Sequence, residues 1–258
     1  MVAIRTIHDW MGSSGVLTSW NPSSASLTKL RNAPVSSVPV SYQQSQHIRA
    51  FRSHERNGTD MARLNIAAWD MPGKCDVRAM THVINAYVRR HDTFRSWFED
   101  AGDGHFIRHA IEDPDVIEFE PIDHGHLTVD EIHRLVIDIP SPLEWGCFTF
   151  GVVQNEGRFT FFAAMDHVHG DATLIGTTML EANGMYSAIS SGAEQVALPD
   201  AGSFDDFCVR ERESTAALTV DSPGVRAWIE FAENNRDGFP EFPLPLGNPK
   251  ESTRSVMT

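Results

Sequence analysis

Two apolar, aromatic-rich runs, Cys147–Val153 and Arg158–Met165, follow one another with only Gln154-Asn155-Glu156-Gly157 between them. Nothing else in the chain restricts its fold as much. A short connection ending in glycine joins sequential strands as an antiparallel hairpin. Neither run alternates apolar with polar residues, so both faces of the hairpin must be buried, and other elements have to cover it on each side.

The covering elements are legible as helices. Asp76 is a suitable N-cap for a stripe of Val77, Met80, Val83, Ile84, Tyr87 and Val88, spaced by threes and fours. Thr128 followed by Glu131 has the capping-box spacing, ahead of Ile132, Leu135 and Val136, with Pro140 and Pro142 as the stop. Ser41 to Arg56 reads as a weakly amphipathic helix ending before Asn57-Gly58. Leu174, Ile175, Thr178, Met179, Ala182, Met185 and Tyr186 mark another, and two more are expected at 204–217 and 222–234. Further strands are predicted at Leu64–Trp69, Phe94–Phe98, His105–Ile111 and Val116–Pro121. The class is α+β, a mixed central sheet flanked by helices. Residues 1–40, rich in Ser, Pro, Asn and Gly without a sustained period, read as an irregular lead-in, and the folded body is expected to run from 41 to 249.

Composition narrows function by exclusion. A formal net charge of -14 opposes nucleic acid and anionic membrane surfaces, and Arg89-Arg90-His91 with Arg95 is too short a basic stretch to override it. The three cysteines, Cys75, Cys147 and Cys208, contain no CxxC pair, and a reducing cytoplasm is the default expectation. No apolar run reaches the roughly 20 residues of a bilayer span, so cytoplasmic placement is expected, with any membrane association peripheral and through partners.

Chemistry concentrates in Met165-Asp166-His167-Val168-His169-Gly170-Asp171-Ala172, where the second hairpin strand ends and a helix begins. Loops that leave a rigid strand often carry catalytic groups. From the residues alone, His167 is either a base or a strand-end histidine bonded to backbone, and Asp171 is either a site residue or a plain N-cap. If the segment stays extended, His167 and His169 share a face, and an HxH metal site with Asp166 or Asp171, as in a metal-dependent hydrolase, is a third reading.

The same residues carry a resemblance. His167-x-x-x-Asp171 resembles the HHxxxDG motif of the condensation-domain and chloramphenicol-acetyltransferase-like acyltransferases. Asp166 stands at the motif's first His, and Ala172 replaces its Gly. Arg90-His91-Asp92-Thr93-Phe94-Arg95 looks like the family's RHxxLR segment, and Ser41-Tyr42-Gln43-Gln44 like its SxxQ opening. The wider texture, including Phe242-Pro243-Leu244-Pro245-Leu246-Gly247, is similar to mycobacterial polyketide-associated acyltransferases that build acylated trehaloses.

The resemblance implies one lobe of a two-lobed fold, with the polar tail 250–258 at the crossover to a second lobe that the chain lacks. It implies acyl transfer to a trehalose-type hydroxyl from a thioester on coenzyme A or a carrier protein, without a covalent acyl-enzyme. His167 is then the general base, Asp171 supports the site through an arginine, and Asp166 and His169 stand close to substrate. No cofactor and no metal are implied beyond the thioester co-substrate. Partners implied are a polyketide synthase, a lipid transporter or the second lobe. The competing expectation is a non-catalytic remnant that binds protein or lipid.

Overall fold

A computed structural model describes residues 12–193 and 197–235 of the 258. The hairpin is present as β6 (Phe148–Asn155) and β7 (Arg158–Asp166). They join β1 (Gly15–Pro22), β2 (Leu64–Pro72) and β5 (Phe119–Leu127) in one sheet of order β2-β7-β6-β1-β5. A separate two-stranded sheet pairs β3 (Ser96–Gly102) with β4 (His105–Ala110). The α+β class holds, and among the described residues every strand pairing is antiparallel where a mixed sheet was expected.

Residue alternation along β7 divides the interior in two. Phe159, Phe161, Ala163 and Met165 face the cluster closed by α3 (Val77–Arg90) and α5 (Ala172–Ser191). Phe162 and Ala164 face the cluster closed by α2 (Tyr42–Arg56), α4 (Val129–Ile137) and Phe98. A strand pointing large side chains both ways needs cover on both faces, which is why β7 lacks the alternation of a half-exposed strand. Phe162 lies over its partner Gly151, where an added Cβ would come 2.1 Å from the ring, so glycine is required for this close approach.

The irregular lead-in is a correction. Residues 15–22 form β1, an inner strand of the sheet, and Ser24–Arg31 form α1 behind an N-cap at Ser23. Tertiary pairing overrides a composition that looks loop-like: buried Ser19 shares a 2.8 Å hydrogen bond with His124, and Trp20 Nε1 donates to Thr81 at 2.8 Å. The strand predicted at Phe94–Phe98 begins instead with a 3₁₀ turn, Asp92–Arg95, and that predicted at Val116–Pro121 starts three residues later, behind a 3₁₀ turn at Pro114–Val116. α6 (Phe204–Ala216) and α7 (Pro223–Asn234) lie where expected. The Phe242–Gly247 stretch and the 250–258 tail lie outside the described residues. Among the described residues no helix is long and apolar enough to cross a membrane.

Candidate active site

β7 stays paired to its last residue, with the Asp166 N–H donating to Cys147 O at 2.9 Å and the His167 N–H to Arg63 O at 2.9 Å. Then it turns at once. The His169 N–H donates to Asp166 O at 3.0 Å, and this closed turn ends the two-residue period. The two histidines therefore do not share a face. His167 is exposed, whereas His169 is buried and packed between the rings of Phe94, Phe98 and Phe148. Among the described residues no three His, Cys, Asp or Glu side chains are grouped to hold a metal.

His169 belongs to the core. Its backbone oxygen accepts from Thr93 Oγ1 at 3.0 Å, and its Nε2 is buried without a partner. Burial drives its pKa down to about 4, so the ring is neutral at ordinary pH and packs as an aromatic. Three phenyl rings enclose its ring, and its edge borders the cleft described below, beside which it was expected to stand close to substrate.

Asp166 is fully buried and tightly paired. One oxygen accepts from His47 Nε2 at 2.7 Å and from the Val168 N–H at 2.9 Å, and the other accepts from Arg63 Nη1 at 2.6 Å. Burial alone would push this carboxyl up; the bonds from His47, the Val168 N–H and Arg63 outweigh it and hold it below the usual carboxylate range. Asp171 is the N-cap of α5, accepting from the N–H groups of Thr173 and Leu174 at 2.9 and 3.0 Å. Among the described residues no arginine pairs with Asp171, and Arg63 binds Asp166.

The three sequence blocks that lie far apart in the chain meet at this loop. Ser41 and Gln44 complete a reciprocal capping box on α2, and Gln44 Nε2 then reaches the loop to donate to Val168 O at 3.0 Å. In the second block, Thr93 bonds the loop as described, and Asp92 accepts from Ser203 Oγ and the Phe204 N–H at 2.8 and 3.0 Å, fixing the start of α6. Arg90 and His91 are not a solvated helix end: they converge on buried Glu181 of α5 at 3.1 and 2.9 Å. The result is a cleft of about 350 Å³ with Gln44, His47, Asp92, Thr93, His167 and Asp171 on its walls.

A larger cavity of about 650 Å³ lies beside β1 and α4, and none of the three blocks reaches it. Size alone points there, whereas the sequence blocks point to the smaller cleft. His47, Arg63 and Glu181 are the residues sequence reasoning missed. Of these only His47 has a local signal, since it follows Gln44 by three positions and so shares its helix face. All three cysteines are free and buried; burial pushes the thiols of Cys75 and Cys208 up to about 11 and raises that of Cys147 as well.

No family model matches the chain. It is 50% identical over its whole length to the acyltransferase PapA3 of Mycobacterium tuberculosis, covering 55% of that protein. It is 47% identical over 96% of its length to the trehalose-2-sulfate acyltransferase PapA2 of the same species, covering 53%. A solved PapA2 acyl transferase superposes with a TM-score of 0.89 at 46% identity, over 96% of this chain and 54% of that one. The starter condensation domain of rhizomide synthetase, at 12% identity and a TM-score of 0.58 over 78% of this chain and 48% of that one, shares the fold alone. The chain spans about half the length of the curated relatives it matches.

Proposed function

This chain is a relative of the Pap acyltransferases and has the condensation-domain fold, and from that premise we propose that its cleft moves an acyl group from a thioester to a hydroxyl of a trehalose-type acceptor. The observation that carries the reading is the convergence of the 41–47, 91–93 and 166–171 segments on one cleft with an exposed imidazole, His167, at its wall. Such convergence serves no packing need of His167 itself.

In this reading His167 takes the hydroxyl proton as the acceptor oxygen attacks the thioester carbonyl. The carbon–oxygen bond forms, the tetrahedral centre collapses, and sulfur leaves with the electron pair of the carbon–sulfur bond. General-base help of this kind contributes roughly two to four orders of magnitude in rate. Alignment of donor and acceptor supplies a further large share. Asp166 and Asp171 act on the loop: one fixes its first turn from below, the other starts α5. Direct transfer fits the cysteines, none of which lines the cleft and all of which are held as thiols.

The reading is tested by incubating the chain, and the chain joined to the remaining part of a relative, with a long-chain acyl-coenzyme A and either trehalose or trehalose 2-sulfate. Mass spectrometry reports the ester. Ester from either form supports acyl transfer, and its absence from both overturns it. A second reading, a non-catalytic binding module, is favoured by α7, none of whose residues is buried and whose Trp228 is 66% exposed. Formation of a stable complex with the separate remaining part of a relative, without ester from any form, would decide for it.

A further inference from the structure

His167 has no side-chain hydrogen bond among the described residues, and Asp171, the aspartate of the HxxxD motif, is spent on the α5 cap. A second imidazole in the same cleft is better equipped. His47, on the first half of α2, is 13% exposed at its side chain, and its ring centroid lies 6.1 Å from that of His167. Its Nε2 is bonded to buried Asp166, which Arg63 and the Val168 N–H hold in place from two other directions. With Asp166 ionised, the proton of that bond lies on Nε2, and Nδ1 is left as the free nitrogen. An imidazole whose tautomer is fixed by a buried carboxylate is the arrangement that lets a histidine accept a proton without reorienting.

Resting on the acyl-transfer reading, we infer that His47 is the second proton-handling residue of the cleft: Nδ1 receives, across one bridging water, the proton that His167 removes from the acceptor hydroxyl. The separation of the two rings suits a water-mediated path better than direct contact. His167 returns to its neutral form, the imidazolium formed on His47 is balanced by Asp166, and the proton leaves to solvent, from which the departing thiolate takes one. Overall an alcohol and a thioester give an ester and a thiol. The placement of Asp166 where relatives of the wider superfamily carry a histidine then has a physical consequence: a buried carboxylate at that point can orient an imidazole from α2. The other ionisable groups around the pair are Arg63 behind it and His91, Asp92, His169 and Asp171 around the cleft.

The test has an arm that needs no activity. Nitrogen-15 NMR of histidine-labelled protein reads the His47 tautomer directly. The Nε2–H form, lost in Asp166→Asn, supports the assignment, and the Nδ1–H form overturns it whether or not the chain transfers acyl groups. In the kinetic arm, His47→Gln, which keeps a donor for Asp166 and so keeps the fold, is expected to lower kcat at least about tenfold with KM within about twofold. Added imidazole is expected to restore part of the loss in His47→Ala. Unchanged kcat, or a change confined to KM, overturns the proposal. A wild type that transfers nothing sinks the acyl-transfer reading alone and leaves His47 to the tautomer measurement.

Discussion

Across one turn at the end of β7 the chain builds two histidine environments with opposite physics. On the cleft side His167 faces an opening lined by polar groups, and on the core side His169 sits among phenyl rings with its pKa driven to about 4. Both imidazoles follow the same strand, two residues apart. What separates them is the hydrogen bond from the His169 N–H to Asp166 O, which converts an extended segment into a turn. A short motif read as side-chain chemistry is therefore first a backbone event, and whatever weakens the turn should make the two environments more alike.

The largest expected effect comes from Asp166, the post on which the turn hangs. Asp166→Ala removes the acceptor of three hydrogen bonds and leaves Arg63 without its carboxylate partner, and should cost about 3–5 kcal/mol in urea unfolding. A loss under 1 kcal/mol would mean the turn is held elsewhere.

The next prediction concerns His169 and pH. Its folded pKa, about 4, lies below the ordinary 6.5, so the unfolded chain takes up the proton first as pH falls. The contribution to stability is complete above about 6.5 and is lost as pH drops toward 4, amounting to about 3 kcal/mol. Unfolding curves between pH 7 and pH 4 should be flatter by about that amount in His169→Leu than in the wild type. Parallel curves would contradict a buried, neutral His169.

Two smaller changes sharpen the contrast. In Gly170→Ala the new Cβ would lie 2.7 Å from Leu174 Cδ2 and 3.0 Å from Met165 Sδ. Both are ends of flexible side chains, so the expected cost is about 1 kcal/mol, seen as a lowered Tm. Ser41→Ala removes one half of the α2 capping box and should also cost about 1 kcal/mol. It also loosens Gln44, which holds Val168 O, so hydrogen exchange of the loop amides should quicken.

Much of this was legible in the sequence where a local rule and the tertiary structure agree. The hairpin, the Asp76 cap with its stripe, and the reciprocal box at Thr128 and Glu131 all follow from spacing and are present. β1 was not legible because Ser19 and Trp20 find partners in distant His124 and Thr81, which no window around residue 20 contains. The motif residues stood out, but their environments were split by a turn that sequence does not announce. Arg63 could not be assigned because it precedes an unremarkable strand, and its partner lies 103 residues away.

The most direct measurement uses whichever form of the protein yields ester and compares His167→Ala with His169→Leu in the same assay, with Tm recorded for each. The account predicts that His167→Ala lowers kcat about a hundredfold or more at an unchanged Tm, while His169→Leu retains most of kcat and alters the pH dependence of Tm. Near-wild-type turnover by His167→Ala would contradict it.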